Sequence, residues 1–422
     1  MVGVDWKSRR AADPFGSGHA EDSLDELAEL AGGAGASVAG RMLQTRQAPE
    51  AATLIGYGKV QELAQLAQSL DADLVIFDRD LTPTQQRNLE KELHRRVIDR
   101  TQLILDIFAR RARTREGRLQ VELAQLSYLL PRLTGHGAEM SRQGGGIGTR
   151  GPGETQLETD RRRIHRRIRK IEEDLENVRA GRALHRRKRQ SVPLPTIALV
   201  GYTNAGKSTL FNRITDAGVL ADARMFATLD PTVRPLTLPS RRRALLSDTV
   251  GFIGNLPTTL VKAFRATLEE VREATLILHV VDASAPHADA QTGHVLKVLS
   301  EIDAAAIPQL LVLNKVDRLP ATGLDIEAMR LRLLGSAETA ASARAVAISA
   351  LTGQGLDQML ATIDTVLPFD PLVRTHLRLP SSDGARIAMV HDLGRVLETR
   401  YDGDSCEMEV EIPESLKRRL GV

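Results

Sequence analysis

The chain has 422 residues, 42% of them hydrophobic, and a net charge of +3, which suits about two to four globular domains and excludes a disordered protein. Its single cysteine, Cys406, excludes an internal disulfide and a cysteine-based zinc site and points to a reducing compartment. No apolar run reaches the roughly 18 residues of a membrane span, and residues 1–10 lack a signal-peptide core, so a cytoplasmic protein is expected, acting as a monomer.

Residues 1–36 mix small and acidic side chains with glycine and carry only a short helical hint at Leu24, Leu27 and Leu30, which reads as a mobile tail. Strand-like runs at 37–43 and 74–77 alternate with helical patterns at 59–70 and 84–93, giving a small α/β domain with a parallel sheet over 37–100. Over 101–190 the chain becomes highly charged. Leu119, Leu123, Leu126 and Leu130 form one apolar seam, and Ile164, Ile168, Ile171, Leu175 and Val178 form a second. A segment too rich in glycine to be helical, 135–155, joins them, so the pair reads as an antiparallel helical hairpin with a flexible cationic loop at its tip.

Arg161, Arg162, Arg163, Arg166, Arg167, Arg169 and Lys170 frame the second helix, followed by Arg186, Arg187, Lys188 and Arg189. Such a run can be no more than a solvated helix face. Coupled to a Gly/Arg loop it favours contacts with a phosphate backbone, and each phosphate neutralised makes binding more sensitive to salt. The scarcity of aromatics argues against stacking on single-stranded bases and for shape recognition of folded RNA, with no DNA partner.

After a short proline-bearing linker, residues 191–368 form a nucleotide domain. Gly201, Tyr202, Thr203, Asn204, Ala205, Gly206, Lys207 and Ser208 fit the phosphate-loop pattern G-x-x-x-x-G-K-[ST], behind the apolar run 196–200 and ahead of a helical segment. Successive backbone N–H groups and the positive end of the helix would surround the phosphates. Lys207 supplies a point charge at the β/γ-phosphates, and Ser208 a hydroxyl for Mg2+.

Asp248, Thr249, Val250 and Gly251 follow another strand. Asp248 would hold Mg2+ through water, and Gly251 could bring its N–H against the γ-phosphate. Asn314, Lys315, Val316 and Asp317 follow a third strand, where Asp317 can accept two hydrogen bonds from guanine that adenine cannot offer, a discrimination of roughly 10⁴. Ser349, Ala350 and Leu351 would close the pocket over the guanine carbonyl.

A first switch belongs in the loop of Phe226, Ala227, Thr228, Leu229 and Asp230. Thr228 is the choice for a ligand to Mg2+ and the γ-phosphate, with Thr232 as runner-up. Lys207, Thr228 and Gly251 are therefore the candidate catalytic residues, and Ser208, Thr228 and Asp248 the candidate metal ligands. Phe252 stands where many GTPases have a water-orienting glutamine, so hydrolysis should be slow without a partner. The amide oxygen of Asn204 could help ligate K+ beside the phosphates, although asparagine is also an ordinary turn former. Residues 369–422 read as an α+β appendage: over 376–422 a strand, a helix and two strands joined at Asp402, Gly403 and Asp404, with no chemical motif.

From about residue 37 to 400 the chain resembles the HflX family of ribosome-associated GTPases. The resemblance rests on the phosphate loop, on 226–230, 248–253 and 263–270, and above all on the glycine-rich segment 144–158. It implies a P-loop GTPase domain of the α/β class, a mostly parallel sheet with helices on both faces. That domain would follow the small α/β domain and helical hairpin and precede the α+β domain. It further implies binding to the large ribosomal subunit and its ribosomal RNA, stimulation of GTP hydrolysis by that subunit, and splitting or rescue of stalled ribosomes under stress. Some members are similar in also binding ATP through the N-terminal domain, but no second phosphate loop supports this here. Two other readings of the residues remain open: a switch acting on a protein effector, and an ATP-driven RNA-remodelling enzyme.

Overall fold

A computed structural model of the chain describes residues 1–6, 20–135, 152–190, 194–215, 226, 231–254, 265–320, 325–334, 344–368 and 371–420. The first unit alternates strand and helix: β1 (Val2–Trp6), α1 (Ala20–Gly33), β2 (Met42–Arg46), α2 (Tyr57–Ser69), β3 (Leu74–Phe77), α3 (Pro83–Leu93) and β4 (Arg96–Asp99). Its four strands are parallel in the order β2-β1-β3-β4.

The tail expected over 1–36 is therefore corrected at its two described stretches, 1–6 and 20–36. Its first residues form a strand between two others, with Val2 and Val4 buried, and Leu24, Leu27 and Leu30 fix α1 by burying one stripe of it. The strand expected over 37–43 begins only at Met42. α3 starts where local chemistry dictates: the Thr82 side chain accepts from the Gln85 N–H, the Gln85 side chain answers at the Thr82 N–H, and Pro83 leads the first turn.

The stretch 101–130 is not one helix. Asp99 caps α4 (Arg100–Arg111) by accepting from the Gln102 N–H, and Thr114 caps α5 (Arg115–Leu129) by accepting from the Gly117 N–H, so the chain turns between two helices. A 3-10 turn, Leu130–Gly135, follows, and then the long α6 (Pro152–Gln190).

α5 and α6 pack antiparallel. Arg167 grips Glu122 with two hydrogen bonds of 2.6 and 2.8 Å, and Arg115 lies 4.0 Å from Asp174, so a step back along α5 matches a step forward along α6. Ile171 and Leu175 are buried, whereas Ile164, Ile168 and Val178 are half-buried. On α5 the expected seam of Leu119, Leu123 and Leu126 is half-buried, and Val121, Ala124 and Tyr128 go deeper, because α5 also packs on α4. Most of the glycine-rich loop, 136–151, lies outside the described residues.

The central unit comprises β5 (Thr196–Gly201), α7 (Lys207–Thr215), β6 (Thr232–Thr237), β7 (Arg243–Asp248), α8 (Arg265–Arg272), β8 (Leu276–Asp282), α9 (Ala288–Glu301), β9 (Gln309–Asn314), α10 (Ile326–Leu334), β10 (Arg344–Ala347) and α11 (Leu356–Val366). The six strands order as β10-β9-β8-β5-β7-β6, all parallel except the β6–β7 pair. Alternation along β5 divides the cores: Ile197 and Leu199 face one, Ala198 and Val200 the other. The second of these cores continues into α1 and α4, so the N-terminal unit and the central one share buried side chains.

The last unit is an antiparallel sheet of order β11-β13-β12, built from β11 (Leu372–Pro380), α12 (Gly384–Leu393), β12 (Arg395–Asp402), β13 (Ser405–Pro413) and α13 (Glu414–Leu420). The turn expected at Gly403 joins β12 to β13, with φ +57. Cys406, Met408, Val410 and Ile412 alternate inward, and Cys406 is fully buried. β11 begins earlier than the sequence suggested, and α13 was not expected.

Candidate nucleotide site

β5, β7 and β9 end together at one edge of the sheet and deliver the three motif loops to one place. Two glycines explain why the phosphate loop needs its pattern. A Cβ on Gly201 would lie 2.2 Å from the Val280 carbonyl oxygen of β8, and one on Gly206, at φ +94, would lie 2.2 Å from Asn314 Nδ2. Between them Asn204 takes the left-handed conformation at φ +60 and is exposed.

Lys207 is buried, and its Nζ donates to the carbonyls of Gly201 (3.0 Å) and Tyr202 (2.7 Å). Burial lowers its pKa to about 8, against the upward pull of the Asp248 carboxylate. Ser208 Oγ donates to Asp248 Oδ2 at 2.9 Å, and Asp248 is fully buried at the end of β7. The two expected metal ligands of the described chain thus stand side by side.

Gly251 has no room for a side chain: a Cβ would meet Thr203 Cα, Thr203 Cγ2 and Lys207 Nζ, each at 3.0 Å. The segment after it zips onto the phosphate loop, with the Thr203 N–H donating to the Phe252 carbonyl at 2.7 Å and the Phe252 N–H to the Gly201 carbonyl at 3.1 Å. Phe252 is buried in the core shared with α1 and α4, and Val250 joins it there. Thr249 is buried, with its hydroxyl donating to the Leu199 carbonyl.

On the base side, Asn314 ties two loops together. Its Nδ2 donates to the Ala205 carbonyl at 2.8 Å, and its Oδ1 accepts from the Ala350 N–H at 2.9 Å. Lys315, at φ +65, pairs with Asp282 at 2.6 Å. Val316 and Asp317 enter a 3-10 turn; Asp317 is exposed, and the Val316 N–H donates to the carbonyl of Ile348 at 3.3 Å, just ahead of Ser349, Ala350 and Leu351. Ser349 is fully buried, whereas Leu351 is 70% exposed.

The first switch loop is only partly placed. Phe226 is buried, with its ring edge-on to Phe108 of α4 at 4.6 Å, so its side chain belongs to the core between units. Ala227, Thr228, Leu229 and Asp230 lie outside the described residues. Thr232, the runner-up, pairs across the sheet with Asp248.

Three features had no clear signal in the sequence. His279 sits in the middle of β8, 1% exposed, and neither ring nitrogen has a hydrogen-bond partner among the described residues. Burial, and then the nearby Lys207 charge, lower its pKa to about 4. A lone histidine inside the apolar run 276–282 was the only sign of it. The Asp282–Lys315 pair is the second. The third is the hydroxyl of Tyr202, which leaves the phosphate loop to donate to Glu26 of α1.

A mostly parallel sheet with a phosphate loop after β5, the acidic end of β7 beside it and the Asn314–Asp317 loop after β9 defines a P-loop GTPase. Three family models match in succession: a GTP-binding GTPase N-terminal region over residues 21–109, a GTP-binding GTPase middle region over 111–189, and a 50S ribosome-binding GTPase over 196–315. The GTPase HflX of Caldanaerobacter subterraneus is 46% identical over 95% of this chain and 90% of its own length; that of Escherichia coli is 45% identical over 94% and 92%. The GTPase HflX of Alkalihalophilus pseudofirmus reaches 58% identity over 71% of this chain and 70% of its own. The chain belongs to the HflX family of GTPases. Among solved structures, a GTP-binding protein from Sulfolobus solfataricus in complex with GDP is similar at 24% identity and a TM-score of 0.45, over 86% of this chain and 97% of that one.

Proposed function

We propose that this GTPase binds the large ribosomal subunit and, in a GTP-dependent way, splits or rescues stalled ribosomes under stress. The observation that carries the reading is the cationic face of α6. Arg161, Arg162, Arg163, Arg166, Arg169 and Lys170 are all exposed on a helix that buries only a narrow stripe, which suits the phosphates of folded ribosomal RNA. The ribosome-binding family model over the central unit agrees with it. Action on ribosomes would place the protein in the cytoplasm, and no described helix is long and apolar enough to cross a membrane.

Within the site, Gly201, Gly206 and Lys207 cradle the phosphates, the Gly251 N–H meets the γ-phosphate, and Asp317 reads guanine. Ser208 Oγ and Asp248 Oδ2 are hard oxygen donors held 2.9 Å apart, a set that fits Mg2+, and Ser208, Asp248 and Thr228 would hold it. When bound, the ion neutralises charge on the phosphate oxygens. Thr228 would contact the ion and the γ-phosphate in the triphosphate state alone. Phe252 is buried and cannot orient water, so intrinsic hydrolysis is slow and the ribosomal subunit accelerates it. Asn204, exposed at the turn of the loop, is the candidate for a K+ contact, and equal rates in potassium and sodium buffers would end that idea.

The test is GTP hydrolysis with and without purified large subunits, for the full chain and for a variant lacking residues 135–155. Strong stimulation that weakens on deletion is the expected result. No stimulation, with guanine-nucleotide binding intact, would turn the reading toward a protein effector.

A further inference from the structure

Tyr202 contributes its backbone to the phosphate loop and its side chain to something else. Its carbonyl accepts from Lys207 Nζ at 2.7 Å, while its hydroxyl accepts from the Gly254 N–H at 2.6 Å and donates to Glu26 Oε1. Glu26 belongs to the N-terminal unit and is not free to drift. Arg100, 2% exposed, holds it with one guanidinium nitrogen and holds Asp78 with another at 2.9 Å, and Asp78 in turn accepts from Ser23 Oγ at 2.6 Å. Exposed ion pairs are weak and adaptable; a chain of charge-assisted hydrogen bonds anchored on the buried Arg100–Asp78 pair, with Glu26 and Ser23 half-buried, is far more restricted in geometry.

That geometry bears on the γ-phosphate. The segment following Gly251 is fastened to the phosphate loop by the two Phe252 backbone bonds and by the Gly254 bond to the Tyr202 hydroxyl. The last of these is the one whose acceptor is positioned from outside the central unit. A diphosphate does not reach Gly251, so loosening the segment should weaken binding of the triphosphate and spare the diphosphate.

We propose that Glu26 and Tyr202 are a positioning pair through which the N-terminal unit fixes the Gly251 N–H, and thereby sets the preference for a nucleoside triphosphate over a diphosphate. This rests on the reading of Gly251 as the γ-phosphate contact. A latch that merely held two units together would, when broken, weaken both nucleotides alike and lower the melting temperature.

The experiment measures dissociation constants for GDP and for a non-hydrolysable GTP analogue on the full chain, with melting temperature alongside. Tyr202→Phe removes one oxygen and leaves the Glu26–Arg100 pair intact, so it tests the idea even if Glu26→Ala folds poorly. Each should weaken the GTP analogue by about fivefold, the scale of one buried hydrogen bond, and GDP by less than about twofold. The double variant should be no worse than Tyr202→Phe alone, and Glu26→Gln, which keeps an acceptor for the hydroxyl, should recover most of the loss. Equal weakening of both nucleotides, or none at an unchanged melting temperature, overturns the proposal. Gly251→Ala separates the two levels. If it leaves the GTP-to-GDP ratio unchanged, the γ-phosphate reading fails and takes the pair with it; if it lowers the ratio while Glu26→Ala and Tyr202→Phe do not, only the pair fails.

Discussion

Asn314 shows how one side chain can serve two loops: its amide group bonds the phosphate loop at Ala205 and its oxygen the base-side loop at Ala350. Asp317, exposed in the turn that follows, is the proposed contact for the base. Asp317→Asn should therefore lower GTP affinity by roughly a hundredfold or more with little change in fold, as measured by competition between GTP and xanthosine triphosphate, which the variant should prefer. His279 makes a different prediction. Its folded pKa, about 4, lies below the ordinary 6.5, so between those values the unfolded chain binds the extra proton and stability falls as pH falls. The loss is on the order of 3 kcal/mol by pH 4. A His279→Leu variant should lose that part of the acid sensitivity in denaturant melts across pH 4 to 7. An unchanged pH slope would show that the imidazole is not held neutral.

Among the elements, β1 and α1 were the least legible. A five-residue strand flanked by charged and small residues gives too short a pattern to distinguish from a tail, and its partners are supplied by the sheet, not by its own sequence. Val2 and Val4 are buried between β2 and β3, so removing residues 1–33 should unfold the N-terminal unit, seen as lost helical signal and rapid proteolysis of 42–99. Survival of that fragment would contradict the strand order. The strands that carry the site were legible because each is a buried apolar run ending in a motif. The break between α4 and α5 was not, since Asp99 and Thr114 are ordinary residues until their caps are seen. For α6, replacing Arg161, Arg162 and Arg163 with glutamine should reduce the salt dependence of large-subunit binding by about two to three logarithmic units of slope. An unaltered slope would remove these residues from the RNA contact.

At the scale of the molecule, both segments proposed to sense the nucleotide lead into the core shared with the N-terminal unit, Phe226 through Phe108 and the Gly251 segment through Phe252 and Ile253. Phe226 was read as part of the nucleotide loop because a loop motif records sequence order, while the direction of a ring is decided by which unit packs beside it. The same limit hid Tyr202: its position in the phosphate loop was plain, but its partner Glu26 is remote in sequence. A shared core means that guanine nucleotide should slow amide hydrogen exchange in α1 and α4 as well as around the phosphate loop. Protection confined to the central unit would show that the two behave independently.

The burial of Cys406 has a practical corollary. The chain's only thiol is sealed inside the C-terminal sheet, so the native protein should be nearly inert to maleimide dyes while folded. A cysteine placed at exposed Tyr57 and another at exposed Leu331 would then be the sole labelling points, on the N-terminal and central units respectively. Energy transfer between those dyes could follow, molecule by molecule, whether the two units hinge when GTP replaces GDP, with no background to engineer away.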